Sequence, residues 1–123
     1  MKTLLLSLTL FFACSDPYKE AQTIGTVEAY DAFIAEYASS SRVFEANMAI
    51  EKILTDKARE TQKPEDFDIY LNRYEGNPPT RSLYDKMVDE RADARWTQAL
   101  DNNSVESYKL FITEYKTERP EAV

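Results

Sequence analysis

Carboxylates are the residues of this chain best equipped for chemistry. Two adjacent pairs, Glu65 with Asp66 and Asp89 with Glu90, and a series of Asp85, Asp89 and Asp93 hold the ingredients of glycoside hydrolysis or hard-cation binding. Spacing argues against both. Neighbours on a helix point ~100° apart, so neither pair can flank one glycosidic bond. The three aspartates, spaced i, i+4, i+8, form a ridge on one helical face that could receive a basic partner. Arg81, Lys86, Arg91 and Arg95 stand close enough in sequence to make it an ordinary solvated, charge-balanced face. A calcium loop needs its oxygens gathered around a tight glycine turn, and none is present. The chain has no histidine, which excludes Ser-His-Asp and Cys-His nucleophile systems and imidazole metal ligands. Its two isolated glycines cannot form a phosphate-cradling loop. No catalytic residue, metal ligand or cofactor is assigned, and the expectation is a protein that is not an enzyme.

Cys14 is the only cysteine, so no disulfide can form within the chain. It follows Lys2, an apolar run from Leu4 to Phe12, and Ala13. That run is far short of the ~20 residues needed to cross a bilayer. A basic start, a short apolar core and small residues at its end describe a bacterial secretory signal. Ala13-Cys14 resembles the lipobox of bacterial lipoproteins, with Phe11 and Phe12 where leucine and a small residue are usual. The resemblance implies that residues 1–13 are removed and that Cys14 carries the lipid attachment. A lipid anchor would then hold the protein to an envelope membrane. Ser15, rather than aspartate, follows the cysteine, which leans towards the outer membrane. The residues leave two other readings open: a secretory signal cut after Ala13 or Ser15, and a buried helix of the fold.

With 123 residues, 43% apolar and 30% charged, the chain suits one globular domain. A formal net charge of −7, spread along the sequence, excludes a phosphate-neutralising nucleic-acid surface. It also disfavours direct contact of the folded body with anionic lipid.

One line of sequence recurs. TVEAYDAFIAEY at 26–37 returns as SVESYKLFITEY at 104–115, identical at seven of twelve positions, with KPEDFDIYLNRY at 63–74 between them. Aromatics hold the fifth, eighth and twelfth places of every copy: Tyr30, Phe33, Tyr37; Phe67, Tyr70, Tyr74; Tyr108, Phe111, Tyr115. Ile34, Leu71 and Ile112 hold the ninth, and Glu28, Glu65 and Glu106 the third. Places 5, 8, 9 and 12 are one face of an α-helix. Thr26 and Ser104 suit helix N-caps, Pro64 suits a first turn, and each glutamate complements the helix dipole. A stripe of nine aromatics could be a stacking platform for sugars or peptides. Its helical period favours a packing core, with the hydroxyls of Tyr37, Tyr74 and Tyr115 at helix ends.

Longer helices are expected between the copies. Residues 41–60 place Val43, Ala46, Ile50, Ile53, Leu54 and Lys57 on one side. Residues 80–100 place Tyr84, Met87, Val88, Ala92, Trp96 and Ala99 there. Turn-like breaks at 38–41, 60–64, 75–79 and 101–104 separate them. The echo extends upstream: Tyr18 and Ala21 precede the first copy as Trp96 and Ala99 precede the third, and Ala58 precedes the second. A small residue at each crossing permits close backbone approach. The organisation expected is a signal at 1–13, a tether and short lead-in helix at 14–25, and a helical repeat domain at 26–123. The fold expected is all-α, a short antiparallel stack of about two and a half helical hairpins. The last copy has no long helix after it. A polar outer face of Lys109, Thr113 and Glu114 favours a cap on the stack; the alternatives are a truncated chain or a partner that supplies the missing helix.

The stretch AYDAFIAEYASSSRVFEANMAI resembles the tetratricopeptide-like repeats of bacterial envelope lipoproteins and periplasmic scaffold proteins. Tyr30, Phe33, Ile34, Tyr37, Ser40, Ala46 and Ala49 carry the match, and Ala38 stands where proline is usual. The periods exceed the standard 34, and the Trp-x-x-Leu-Gly signature is missing. What the resemblance implies is a non-catalytic scaffold that binds a protein partner in the envelope. The alternative is a lipoprotein that binds a peptide or glycan.

Overall fold

The structure is a computed structural model that describes residues 15–118. Those residues form six α-helices and no strand: α1 Pro17–Ile24, α2 Val27–Glu36, α3 Val43–Thr61, α4 Pro64–Arg73, α5 Arg81–Asn102 and α6 Val105–Glu118. Packing is between sequence neighbours, α1 on α2 through to α5 on α6, so the chain is an all-α stack of helical hairpins. Short α2, α4 and α6 carry the three copies of the repeated line, and α1 is the expected lead-in.

The helix starts follow from their side chains. Thr26 Oγ1 accepts from the Ala29 N–H at 3.2 Å, and Pro64 opens α4 where its missing N–H is not needed. Ser104 and Ser107 cap each other: Ser104 Oγ accepts from the Ser107 N–H at 3.1 Å, and Ser107 Oγ from the Ser104 N–H at 3.2 Å.

The junction into each short helix is the same device three times. Gly25, Gln62 and Asn103 take positive φ values of 70°, 55° and 44°. The N–H of each bonds back to the carbonyl of an alanine, Ala21, Ala58 or Ala99, at 2.8, 2.8 and 2.9 Å. All three alanines are buried. A left-handed residue ends the helix at once, and the alanine lets the next helix cross close by. Glycine fills that conformation freely and asparagine tolerates it, whereas glutamine is strained there.

The core runs along the stack. Tyr18, Tyr30, Phe33, Ala46, Ile50, Leu54, Phe67, Tyr70, Leu71, Tyr74 and Met87 are buried in one cluster. Rings meet edge-on or tilted, as Tyr18 against Phe33 at 5.6 Å and Tyr70 against Tyr84 at 5.9 Å. In α3, the expected Ala46, Ile50 and Leu54 are buried, but Lys57 lies exposed. The face is rotated towards Glu51, Thr55 and Ala58, all buried. Tyr37 and Tyr74 terminate their helices, while α6 runs on past Tyr115.

Glu51 is a charged group at a core position. One of its carboxylate oxygens accepts from the Tyr70 hydroxyl at 2.8 Å and from the Thr80 N–H at 3.2 Å. Thr80 is the N-cap of α5 and makes no side-chain cap of its own. The carboxylate thus sits at the positive end of the α5 dipole and ties α3, α4 and α5 together. Burial, followed by the hydrogen bond to Glu51, raises the Tyr70 phenol above its ordinary value. Arg59 adds a bidentate pair to Glu90 at 2.8 and 2.9 Å, a second α3–α5 tie.

Replacing Gln62 by glycine is expected to stabilise the protein by about 0.5–1 kcal/mol, and Gly25→Ala to destabilise it by about 1 kcal/mol. Urea unfolding of each variant beside the parent checks both signs.

Acid sensitivity follows from the ion pairs. The hydrogen bond from Arg59 holds the Glu90 carboxyl below its ordinary value, and the Thr61 hydroxyl does the same for Asp66. A carboxyl lowered on folding stabilises above its unfolded pKa, and the benefit is lost as pH falls through the folded value. Stability should therefore decline below about pH 4. Glu90→Gln should be less stable at neutral pH and lose less on acidification, as read by thermal unfolding across a pH series.

Candidate functional site

The carboxylates divide as helical spacing requires. Asp66 turns to Thr61 at 2.6 Å and Lys57 at 3.4 Å, while Glu65 is exposed. Glu90 turns to Arg59, while Asp89 is exposed. Among the described residues no group of three or more acidic or cysteine side chains is arranged to hold a metal ion. Asp85, Asp89 and Asp93 line one exposed strip of α5. Arg91 and Arg95 do not balance that ridge as their sequence positions suggest, because both turn to the opposite side of the helix. Cys14 lies outside the described residues. No helix among the described residues is long and apolar enough to cross a membrane.

Two surfaces stand out among the described residues. A cleft of about 450 Å³ opens between the start of α3 and the α4–α5 loop, lined by Phe44, Asn47, Arg73, Tyr74, Asn77 and Pro78 among others. The Tyr74 hydroxyl donates to the Asn47 carbonyl at 3.1 Å, and Arg73 pairs with Asp31 of α2. Phe44 stands exposed at its lip. Of the nine stripe aromatics only Tyr74 reaches this cleft, so the stripe is not a stacking platform here.

The second surface is the end of the stack. The three copies of the repeated line are not equally covered. In the middle copy, Phe67 and Tyr70 are 0% exposed and Leu71 3%, between α3 and α5. In the first copy, Tyr30 and Phe33 are buried between α1 and α3. In the third, α6 packs against α5 and Tyr108, Phe111 and Tyr115 are only half-buried. Ile112, at the place of Leu71, is 50% exposed. Trp96 packs on Tyr108 at 6.0 Å and Phe111 at 5.1 Å, as Tyr18 packs on Tyr30 and Phe33, yet it is 43% exposed against 6% for Tyr18. Leu100, one turn after Trp96, and Val105, one turn before Tyr108, are exposed as well.

The polar cap expected of α6 is not what the structure presents. Lys109 and Thr113 face out, but Glu114 is half-buried against α5, and Val105, Leu110 and Ile112 are exposed. The sequence placed Trp96 in a core face; it lies on this open one because no described helix lies over it.

What holds α6 in place is polar. At the positions where α3 has Ile50 and Leu54, α5 has Arg91 and Arg95. Arg91 pairs with Asp68 of α4 at 2.6 Å and with Glu118 of α6 at 2.8 Å. Arg95 pairs with Asp68 at 3.4 Å, Glu114 at 3.5 Å and Glu118. Both guanidiniums are largely buried, so these bonds are stronger than surface ion pairs. Arg95→Ala should cost about 2 kcal/mol and loosen α6 selectively. Trp96, the single tryptophan, reports this: its emission should shift to the red and become more quenchable by acrylamide while α1–α5 stay folded.

Compared with protein families, curated proteins and solved structures, the chain finds no match.

Proposed function

We propose that this protein is a non-catalytic, lipid-anchored scaffold of the bacterial cell envelope, tethered through Cys14, that binds a protein partner at the α5–α6 end of its stack. The single observation that carries the binding role is the open apolar face of Trp96, Leu100, Val105, Tyr108 and Ile112. Water against so contiguous an apolar surface is unfavourable, and surfaces of this kind mark interaction sites. Tyrosine, tryptophan and phenylalanine are also the side chains that dominate interface energies. The tetratricopeptide-like resemblance of residues 26–54 supports the same role, and the lipobox-like Ala13-Cys14 supports the anchor. A tether confines the protein to two dimensions beside any envelope partner, raising its effective concentration. The partner is an envelope protein; nucleic acid and cofactors have no place in this reading, and the membrane is met through the anchor alone.

The cleft beside Phe44 supports a second reading, a site for a peptide or glycan, since an exposed aromatic stands beside Arg73, Asn77 and the Asn47 amide.

A photocrosslinking residue placed at position 112, 44 or 60 in the bacterial host separates these. An adduct with one envelope protein from 112, absent from 60 and lost with Cys14→Ser, is the expected result. An adduct from 44 alone favours the cleft. No adduct from 112, or equal adducts from 112 and 60, overturns the scaffold reading.

A further inference from the structure

We infer that the occupant of the open face is an amphipathic helix of the partner, carrying a basic residue at its N-cap and seated as α3 is seated on α2. The inference rests on the reading that this face docks a protein, and it adds the chemistry of what docks. The chain itself contains the template. α2 and α6 share seven of the twelve residues of the repeated line, including every member of the stripe; they differ in the helix that covers it. On α2 the covering element is α3, whose Ala46 and Ile50 are buried and whose Val43 is partly so. These stand at i, i+3 and i+7, the apolar face of a helix. A helix with that spacing therefore fits the Tyr108, Phe111, Ile112 and Tyr115 stripe for the same steric reason.

Charge fixes how the helix begins. Arg42 stands at the N-cap of α3, and its guanidinium lies over the Tyr18 ring at 4.1 Å, 3.9 Å from the Asp16 carboxylate. Trp96 occupies the place of Tyr18, and tryptophan is the better partner for a cation. Asp93 lies one turn before Trp96 on the same strip of α5. The open face thus repeats the ring and supplies a carboxylate beside it, which suits a basic N-cap residue. The N-terminal dipole of the incoming helix adds to that attraction. The middle unit follows the same rule, since the α5 N-terminus is brought to the Glu51 carboxylate.

A second copy of this chain fits less well. The described surface of α1, at the far end, is polar apart from Ile24, with Lys19, Glu20, Gln22 and Thr23 all exposed. Two copies each of net charge −7 also repel.

The probe for the test is a synthetic peptide of residues 41–61, the α3 sequence, added to the full chain while Trp96 fluorescence is read. Saturable binding with a blue shift and reduced acrylamide quenching is expected. Ile112→Asp, at an exposed position, should weaken binding by about tenfold or more with circular dichroism unchanged. The peptide carrying Arg42→Glu should bind about three- to tenfold more weakly. Because a free peptide must first fold, a chain with residues 38–61 appended after Val123 through a flexible linker gives the same readout intramolecularly. No change at Trp96 in either format overturns the inference. So does a blue shift that depends on protein concentration alone, with a dimer by sedimentation, which would make a second copy the occupant. If position 112 captures an envelope partner in cells while neither format responds, the helix inference fails and the scaffold reading stands. If 112 captures nothing, the scaffold reading itself fails.

Discussion

Each short helix of this protein carries an aromatic stripe wider than one neighbour can cover. Tyr30 with Phe33, and Phe67 with Tyr70, are removed from water only because a long or lead-in helix lies on each side. Burying one such side chain is worth about 1.5–3 kcal/mol, so the second covering helix decides whether a unit is firm or marginal. The stack is therefore nearly one-dimensional: each unit depends on the next, and whatever lies at an end inherits an unfinished surface. At the first end α1 supplies Tyr18 and Ala21. At the other, among the described residues, nothing lies over Trp96 and Ile112.

The polar groups inside the stack are placed where that dependence needs direction rather than area. Glu51 joins Tyr70 to the start of α5, so α5 can land on α4 in one register only. Arg91 and Arg95 gather Asp68, Glu114 and Glu118. They bind α6 through charge where α3 would have used Ile50 and Leu54. The exchange has a consequence. A helix held by apolar packing on both faces needs nothing more, whereas α6, among the described residues, is held along one side and its stripe is only half-buried.

Much of this architecture was legible because the repeated line obeys the helical period. Three aromatics and an aliphatic at places 5, 8, 9 and 12 can share a face only on an α-helix, and Ala21, Ala58 and Ala99 mark the crossings. The breaks at 60–64 and 101–104 were legible but not the left-handed residue in each, since Gln62 and Asn103 take there the conformation that a glycine takes at the first junction, Gly25. Glu51 could not be placed, because its partners lie 19 and 29 residues further on and a glutamate on a helix is ordinarily solvated. Arg91 and Arg95 lie close enough to the aspartate ridge in sequence to balance it, but sequence shows proximity along one helix, not the carboxylates of the helices beside it. The open face was half legible. The sequence shows that no long helix follows the third copy, but the polar Lys109, Thr113 and Glu114 argue for a cap, and the exposure of Trp96 and Ile112 is seen only in three dimensions.

Coverage as the determinant of stability is tested most directly by native-state amide hydrogen exchange, helix by helix, on the full chain. Slow-exchanging amides should be most protected in α4, next in α2 and least in α6, the three helices with the same stripe and different neighbours. Protection of α6 equal to that of α4 in the isolated protein would contradict the account, since the stripe would then need no second helix to be firm.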